Sequence, residues 1–181
     1  MKHLVEPIRN KKQIKAVEDY LAKRSKRNRL VFVLGCNSGL RVSDILTLDV
    51  KDVRNKTHIE LTEKKTGKCK RFPINEKLKR LINEFIKDKA DDEPLFLSQK
   101  QMRLDRSQVY RMLNEACKAV GIDVNIGTHS MRKSFGYHHY KQFKDVAMLQ
   151  MIFNHSSPQI TLRYIGINQD EIDNSYRQFE L

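Results

Sequence analysis

Three short segments of the chain carry side chains suited to binding or activating a phosphate group. In Ser38-Gly39-Leu40-Arg41-Val42-Ser43-Asp44, a carboxylate follows an arginine by three residues, close enough on a helix to orient it. In Gly127-Thr128-His129-Ser130-Met131-Arg132, His129 and Arg132 have the same spacing and so share a helical face. The third segment runs from Asn154 to Tyr164. Its Ser157 suits a helix cap and its Pro158 the first helical position, where a missing N–H costs nothing. His155 then lies just outside that helix and Tyr164 within it, with Arg163 beside the tyrosine.

Arg41, Arg132, His129, His155, Lys65 and Tyr164 together supply two guanidiniums, two imidazoles, an ammonium and a phenol, and no cluster of carboxylates to hold a divalent ion. Two arginines can grip the non-bridging oxygens of a phosphodiester and stabilise the charge of a pentacoordinate transition state. A phenol becomes a nucleophile when neighbouring cations favour its phenolate. A lysine on a mobile turn can protonate a leaving hydroxyl, and the product is a phosphotyrosine link that stores the energy of the broken bond. Each residue also has a plainer reading: Arg41 as an ion-pair partner of Asp44, Tyr164 as a core-edge aromatic, and Lys65 as one of a solvated basic group with Lys64, Lys68, Lys70 and Arg71. His58, His138 and His139 read as surface or packing histidines, and Met148 and Met151 as core fillers. The chemical reading is preferred because all the plain readings would have to hold at once.

These residues need a scaffold. The 181 residues suffice for one domain with a proper core, and no repeat, low-complexity stretch or Pro/Gly/Ser-rich linker divides them. With 35 Lys and Arg against 22 Asp and Glu, the net charge of +13 favours a polyanionic partner, nucleic acid or an anionic membrane. The N-terminus resembles no signal, and no long apolar run is present, so a soluble intracellular protein is expected. Cys36, Cys69 and Cys117 are scattered and odd in number, without zinc-ligand spacing, and are expected to be reduced thiols.

Helical spacing of Ile14, Val17 and Leu21 predicts a helix from about Lys11 to Arg24. The apolar run Leu30 to Gly35 fits buried helix or strand, with helix preferred. Two short runs, His58 to Thr62 and Lys70 to Ile74, joined through Lys65-Thr66-Gly67-Lys68, predict a β-hairpin. Asn75 caps a helix burying Leu78, Leu81, Ile82, Phe85 and Ile86; another spans about Ser107 to Val120 and stops at Gly121. Thr128 is expected to cap a helix through Tyr140, and Asp145 one that turns Val146, Leu149, Ile152 and Phe153 inward. The residues after Tyr164 are expected to form a short helix. The fold class is mainly α with a small antiparallel β-sheet.

In order and type, these residues resemble the catalytic domain of the tyrosine recombinases, the phage-integrase-like enzymes that cut and rejoin DNA, over nearly the whole chain from about Pro7 to beyond Tyr164. The resemblance implies that Arg41 is the first arginine and Asp44 its acidic follower, that His129 and Arg132 are the His-x-x-Arg pair, that His155 takes the later His/Trp position, and that Tyr164 is the nucleophile. Lys65, in Lys-Thr-Gly before Arg71-Phe72-Pro73-Ile74, takes the place of the catalytic lysine, with Lys64 as the fallback. Asn154 departs from the glycine common before that histidine.

The implied function is site-specific recombination through a 3′-phosphotyrosine intermediate, with no metal and no cofactor. The implied partners are double-stranded DNA and other copies of the chain in a synaptic tetramer, the chain alone being monomeric or weakly associated, with no membrane partner. The implied organisation is a single catalytic domain (core about 7–168, tail 169–181) without the family's N-terminal core-binding domain. Its implied setting is the cytoplasm, associated with the nucleoid, of a prokaryotic or phage host cell. The alternatives are a type IB topoisomerase-like relaxing activity and a catalytically silent DNA-binding protein of the same fold.

Overall fold

Helix α2 (Lys26–Ser38) buries six successive residues, Leu30 to Gly35, and is the element around which the rest is built. Such a run has no polar stripe, so its helix is enclosed on all sides. It packs against α1 (Lys11–Ala22), α4 (Glu76–Ile86), α5 (Arg106–Ala119) and α6 (His129–Phe143). A computed structural model describes residues 5–167 and 169–180 of the chain. Its remaining elements are α3 (Val42–Ile45), a 3₁₀ turn (Val50–Asp52), the antiparallel strands β1 (His58–Thr62) and β2 (Cys69–Pro73), α7 (Val146–Phe153), α8 (Pro158–Ile165) and α9 (Gln169–Gln178). The register pairs Glu60 with Arg71 and Thr62 with Cys69, leaving residues 63–68 to form the turn.

Local signals account for most of the boundaries. Asn75 accepts the Leu78 N–H at 2.9 Å, Asp145 that of Met148 at 2.8 Å and Ser157 that of Ile160 at 3.3 Å, each satisfying a donor that the first helical turn leaves open. Thr128 behaves differently from expectation. It precedes α6, but its backbone is already helical (φ −60°, ψ −22°) and its side chain makes no cap bond. Its hydroxyl instead accepts from Arg106 Nε at 3.3 Å, while Ser130 Oγ takes the Gly127 N–H at 3.1 Å. Met148 and Met151 also depart from expectation: they are 43% and 67% exposed. Helix α7 is only eight residues long and buries Leu149 and Phe153, which lie one turn apart, so both methionines fall on the opposite face.

Two close approaches bring the three chemical segments together. Helix α6 crosses α2 where Gly35 leaves room for Met131, and it meets α7 and α8 at Gly136. A Cβ on Gly136 would lie 2.6 Å from both Phe153 Cε2 and Ile165 Cγ2, inside van der Waals contact. Those two residues, with Leu149, form a small second core beneath α8. Gly136→Ala is expected to destabilise the fold by about 1–3 kcal/mol through overpacking, measured as a lower urea midpoint at unchanged m-value. The buried Glu18 holds α1 to α2 and α4, pairing with Arg29 at 2.9 Å and Lys77 at 2.5 Å. Among the described residues, no helix is long and apolar enough to cross a membrane.

Candidate active site

Arg132 projects from the second turn of α6 into the core and is 2% exposed. A guanidinium tolerates this only if its donors are used. Nη1 donates to the carbonyl of Gly39, and Nη2 to that of Phe153 at 3.0 Å. Gly39 ends α2 in the left-handed region (φ 63°), and Phe153 is the last residue of α7, so both carbonyls are helix-end acceptors without intrahelical partners. The guanidinium also lies 4.4 Å from the centroid of the Phe153 ring. Arg132 therefore ties the loop before Arg41 to the loop before His155.

Arg41 immediately precedes α3 in extended conformation (φ −73°, ψ 146°). Its expected partner, Asp44, is not the principal one. Asp44 Oδ2 lies 3.9 Å from Nη1, whereas Glu63 Oε1 lies at 2.8 Å. Since Arg41 lies outside the helix, the three-residue spacing leaves the two side chains in a loose ion pair without a hydrogen bond. Asp44, fully buried, accepts the Lys64 backbone N–H at 3.0 Å through Oδ1 and so anchors the hairpin turn; its Oδ2 has no hydrogen-bond partner. Glu63 is the residue that sequence reasoning missed, hidden in a stretch that reads as a solvated basic turn. Burial pushes its carboxyl up, but the Thr66 hydroxyl (2.7 Å) and the Lys70 and Arg41 cations outweigh this and hold it below the ordinary carboxylate value.

The hairpin turn is tied on its other side as well. Lys68 Nζ donates to Asn154 Oδ1 at 2.8 Å, and the half-buried Lys70 Nζ donates to the Ile152 carbonyl. Asn154 adopts the left-handed conformation (φ 55°) that ends α7, which asparagine tolerates better than most residues. Lys65 is exposed at the turn and lines a cleft of about 270 Å³ together with Arg41, Val42, Ser43, Arg106, Thr128, His129 and Arg132. Lys64 is not among the lining residues, so the geometry favours Lys65 of the two.

Tyr164 reaches the edge of this cleft. Its hydroxyl is 3.4 Å from His129 Nδ1, a long contact, and its ring meets those of Phe153 and His155 edge-on at 5.5 and 5.0 Å. Lys133 Nζ lies 5.1 Å from the ring centroid. Burial raises the phenol above its ordinary value, with Arg132 and then Arg41 pulling it down. The phenol is therefore protonated in the free protein, and its ionisation would call for a proton acceptor. His129 is suited to that task. Partial withdrawal from water, then the Arg106, Arg132, Lys133 and Arg41 charges, depress its pKa and keep the imidazole neutral.

His155 Nδ1 contacts the buried Thr161 hydroxyl at 3.1 Å, which leaves Nε2 as the ring nitrogen for a ligand. Burial, followed by Arg132, Arg41 and Lys70, pushes this histidine down to about 4. A depressed folded value means the unfolded chain binds the proton more readily, so stability falls as pH drops below the ordinary histidine value. In an NMR titration of the free protein, His155 is expected to stay neutral at pH 5, where an ordinary histidine is charged. A phosphate dianion or phosphodiester added to the cleft should raise its midpoint, because anions screen the three cations.

Among the described residues, no three His, Cys, Asp or Glu side chains stand close enough to share a metal ion. Cys36, Cys69 and Cys117 are free thiols; burial pushes Cys117 up to about 12 and Cys36 in the same direction.

A mostly helical domain with one β-hairpin, in which two arginines, a histidine and a hairpin lysine line one cleft and a tyrosine packed on a second histidine stands at its edge, has the architecture of a tyrosine recombinase catalytic domain. The sequence matches the phage integrase family over residues 9–171, and the chain belongs to that family. It is 49% identical over 178 residues to the probable integrase/recombinase YoeC of Bacillus subtilis, covering 98% of each chain. It is 26% identical to the tyrosine recombinase XerA of Pyrococcus furiosus, covering 93% of this chain and 60% of that one. Among solved structures, the crystal structure of XerA recombinase matches 98% of this chain and 64% of its own, with TM-score 0.78 and 20% identity. A lambda integrase tetramer bound to a Holliday junction matches 91% of this chain and 49% of its own, with TM-score 0.71 and 17% identity. The chain thus spans almost all of the Bacillus relative and less than two thirds of the other three.

Proposed function

We propose that this chain is a site-specific DNA recombinase that cuts and rejoins strands through a phosphotyrosine intermediate. Tyr164 Oη attacks the scissile phosphorus; the Oη–P bond forms as the P–O5′ bond breaks. His129 accepts the phenolic proton, and Lys65 protonates the departing 5′-oxygen. Arg41, Arg132 and His155 hold the non-bridging oxygens and stabilise their charge, with Glu63 and Asp44 positioning Arg41 and the hairpin turn. The observation that carries this reading is the Tyr164 hydroxyl lying against neutral His129 at the edge of a cleft lined by both arginines. Rejoining is the same sequence in reverse, with another strand's 5′-hydroxyl as nucleophile.

The partners proposed are duplex DNA and, on it, further copies of the chain, by likeness to the lambda tetramer; the setting proposed is the cytoplasm of a prokaryotic cell. Helix α9, with Ile172 and Tyr176 exposed and Phe179 exposed just beyond its end, is the element proposed to seat against a neighbouring copy.

The test is covalent capture. The chain is incubated in EDTA with a library of nicked duplexes randomised around the nick, and DNA retained after denaturation is sequenced. The expected result is a discrete target sequence joined to a peptide containing Tyr164. A plasmid pair carrying that sequence then yields recombinants. Relaxed circles without recombinants indicate topoisomerase-like activity, and binding without any adduct indicates a silent binding protein; either outcome overturns the proposal.

A further inference from the structure

One cleft residue has no role in the chemistry above. Arg106, the first residue of α5, lines the same cleft as Arg41, Lys65, His129 and Arg132. Among the described residues it forms no salt bridge. The adjacent Asp105 is committed elsewhere, accepting from Gln108 N at 2.8 Å and Ser107 Oγ at 2.6 Å. Arg106 Nε donates to Thr128 Oγ1 at 3.3 Å, and Thr128 is only 7% exposed. That hydroxyl would ordinarily cap α6; here it orients a guanidinium. A guanidinium tethered through Nε presents its two terminal nitrogens as a pair, the arrangement that binds two oxygens of one phosphate.

Its position argues against the scissile phosphate itself. Tyr164 does not line the cleft and meets it at His129 and Arg132, whereas Arg106 lines it beside Thr128. A phosphate seated against the tyrosine hydroxyl already has Arg41, Arg132 and His155 as donors, so Arg106 remains for the next backbone position. Resting on the strand-transfer chemistry above, we propose that Arg106, oriented by the Thr128 hydroxyl, binds a phosphodiester adjacent to the scissile one on the cleaved strand. The site takes a DNA backbone anion of any sequence, so it adds affinity and fixes the register of the strand without reading bases.

The experiment uses the duplex recovered by covalent capture, unmodified or with a single neutral methylphosphonate at the scissile position or at either neighbour. Arg106→Gln is expected to weaken binding of the unmodified duplex about tenfold and to lower the salt slope by about one. With a methylphosphonate at one neighbouring position, wild type and Arg106→Gln should bind alike. Thr128→Val should lose roughly threefold, at that same phosphate, because the guanidinium keeps its charge and loses its tether. Coupling at the scissile position instead, or equal Arg106→Gln losses on all three modified duplexes, overturns the assignment. Adduct formation by the wild type is scored in the same series: adducts without coupling sink the Arg106 site alone, and no adducts sink the strand-transfer reading with it.

Discussion

Tyr164→Phe is expected to abolish covalent adduct formation, by on the order of 10⁴-fold or more, while leaving affinity for the captured duplex within about twofold. The two effects separate because the hydroxyl and the ring do different work. The ring packs edge-on against Phe153 and His155 and lies under Lys133, and all of these contacts survive in phenylalanine. What is lost is the hydroxyl's long contact to His129 and its interaction with the Arg132 guanidinium, so the unfolding free energy should change by about 1 kcal/mol. The cationic floor of the cleft does not depend on the phenol, because Arg132 is held by two backbone carbonyls and Arg41 by Glu63. Gel-resolved adducts and fluorescence anisotropy on the same preparation provide the measurement. Residual adduct within tenfold of wild type places the nucleophile elsewhere.

The elements that hold this site were legible because their causes are local. Apolar residues at helical spacing, Asn75, Asp145 and Ser157 at helix starts, and the Gly67-containing turn act over a few residues, and the structure places helices and a hairpin where those signals stand. The three chemical segments were legible for the same reason, since each is a short run whose side chains are fixed by one helix end. What the sequence hid is how those side chains are held. Arg41 takes its partner from 22 residues away, across the hairpin. Arg132 takes Gly39 from 93 residues away and Phe153 from 21. Backbone carbonyls carry no residue type, so no reading of side chains could find the acceptors of Arg132. Thr128 shows a local rule overridden: a hydroxyl at a helix start has a choice of partner, and the tertiary structure supplied Arg106.

Arg132→Lys is the second large effect, and it tests guanidinium geometry with charge held constant. Cleavage in a single turnover should fall by about 10³-fold, and the fold should lose roughly 1–3 kcal/mol. Lysine delivers one ammonium on a flexible stem. It cannot donate in two directions at once to Gly39 and Phe153, whose carbonyls cap the ends of α2 and α7. One carbonyl is left buried without a partner, which accounts for the stability loss, and the stack over Phe153 is lost with the planar group. The greater loss in rate has a different origin. Arg132 joins the loops that carry Arg41 and His155, so replacing it disorders the spacing of the two other proposed phosphate ligands as well as removing one planar donor. Duplex affinity should fall much less than the rate, because net charge is unchanged. A lysine variant that cleaves within tenfold of wild type would mean that point charge alone suffices at this position, and the bridging role assigned to the guanidinium would be wrong.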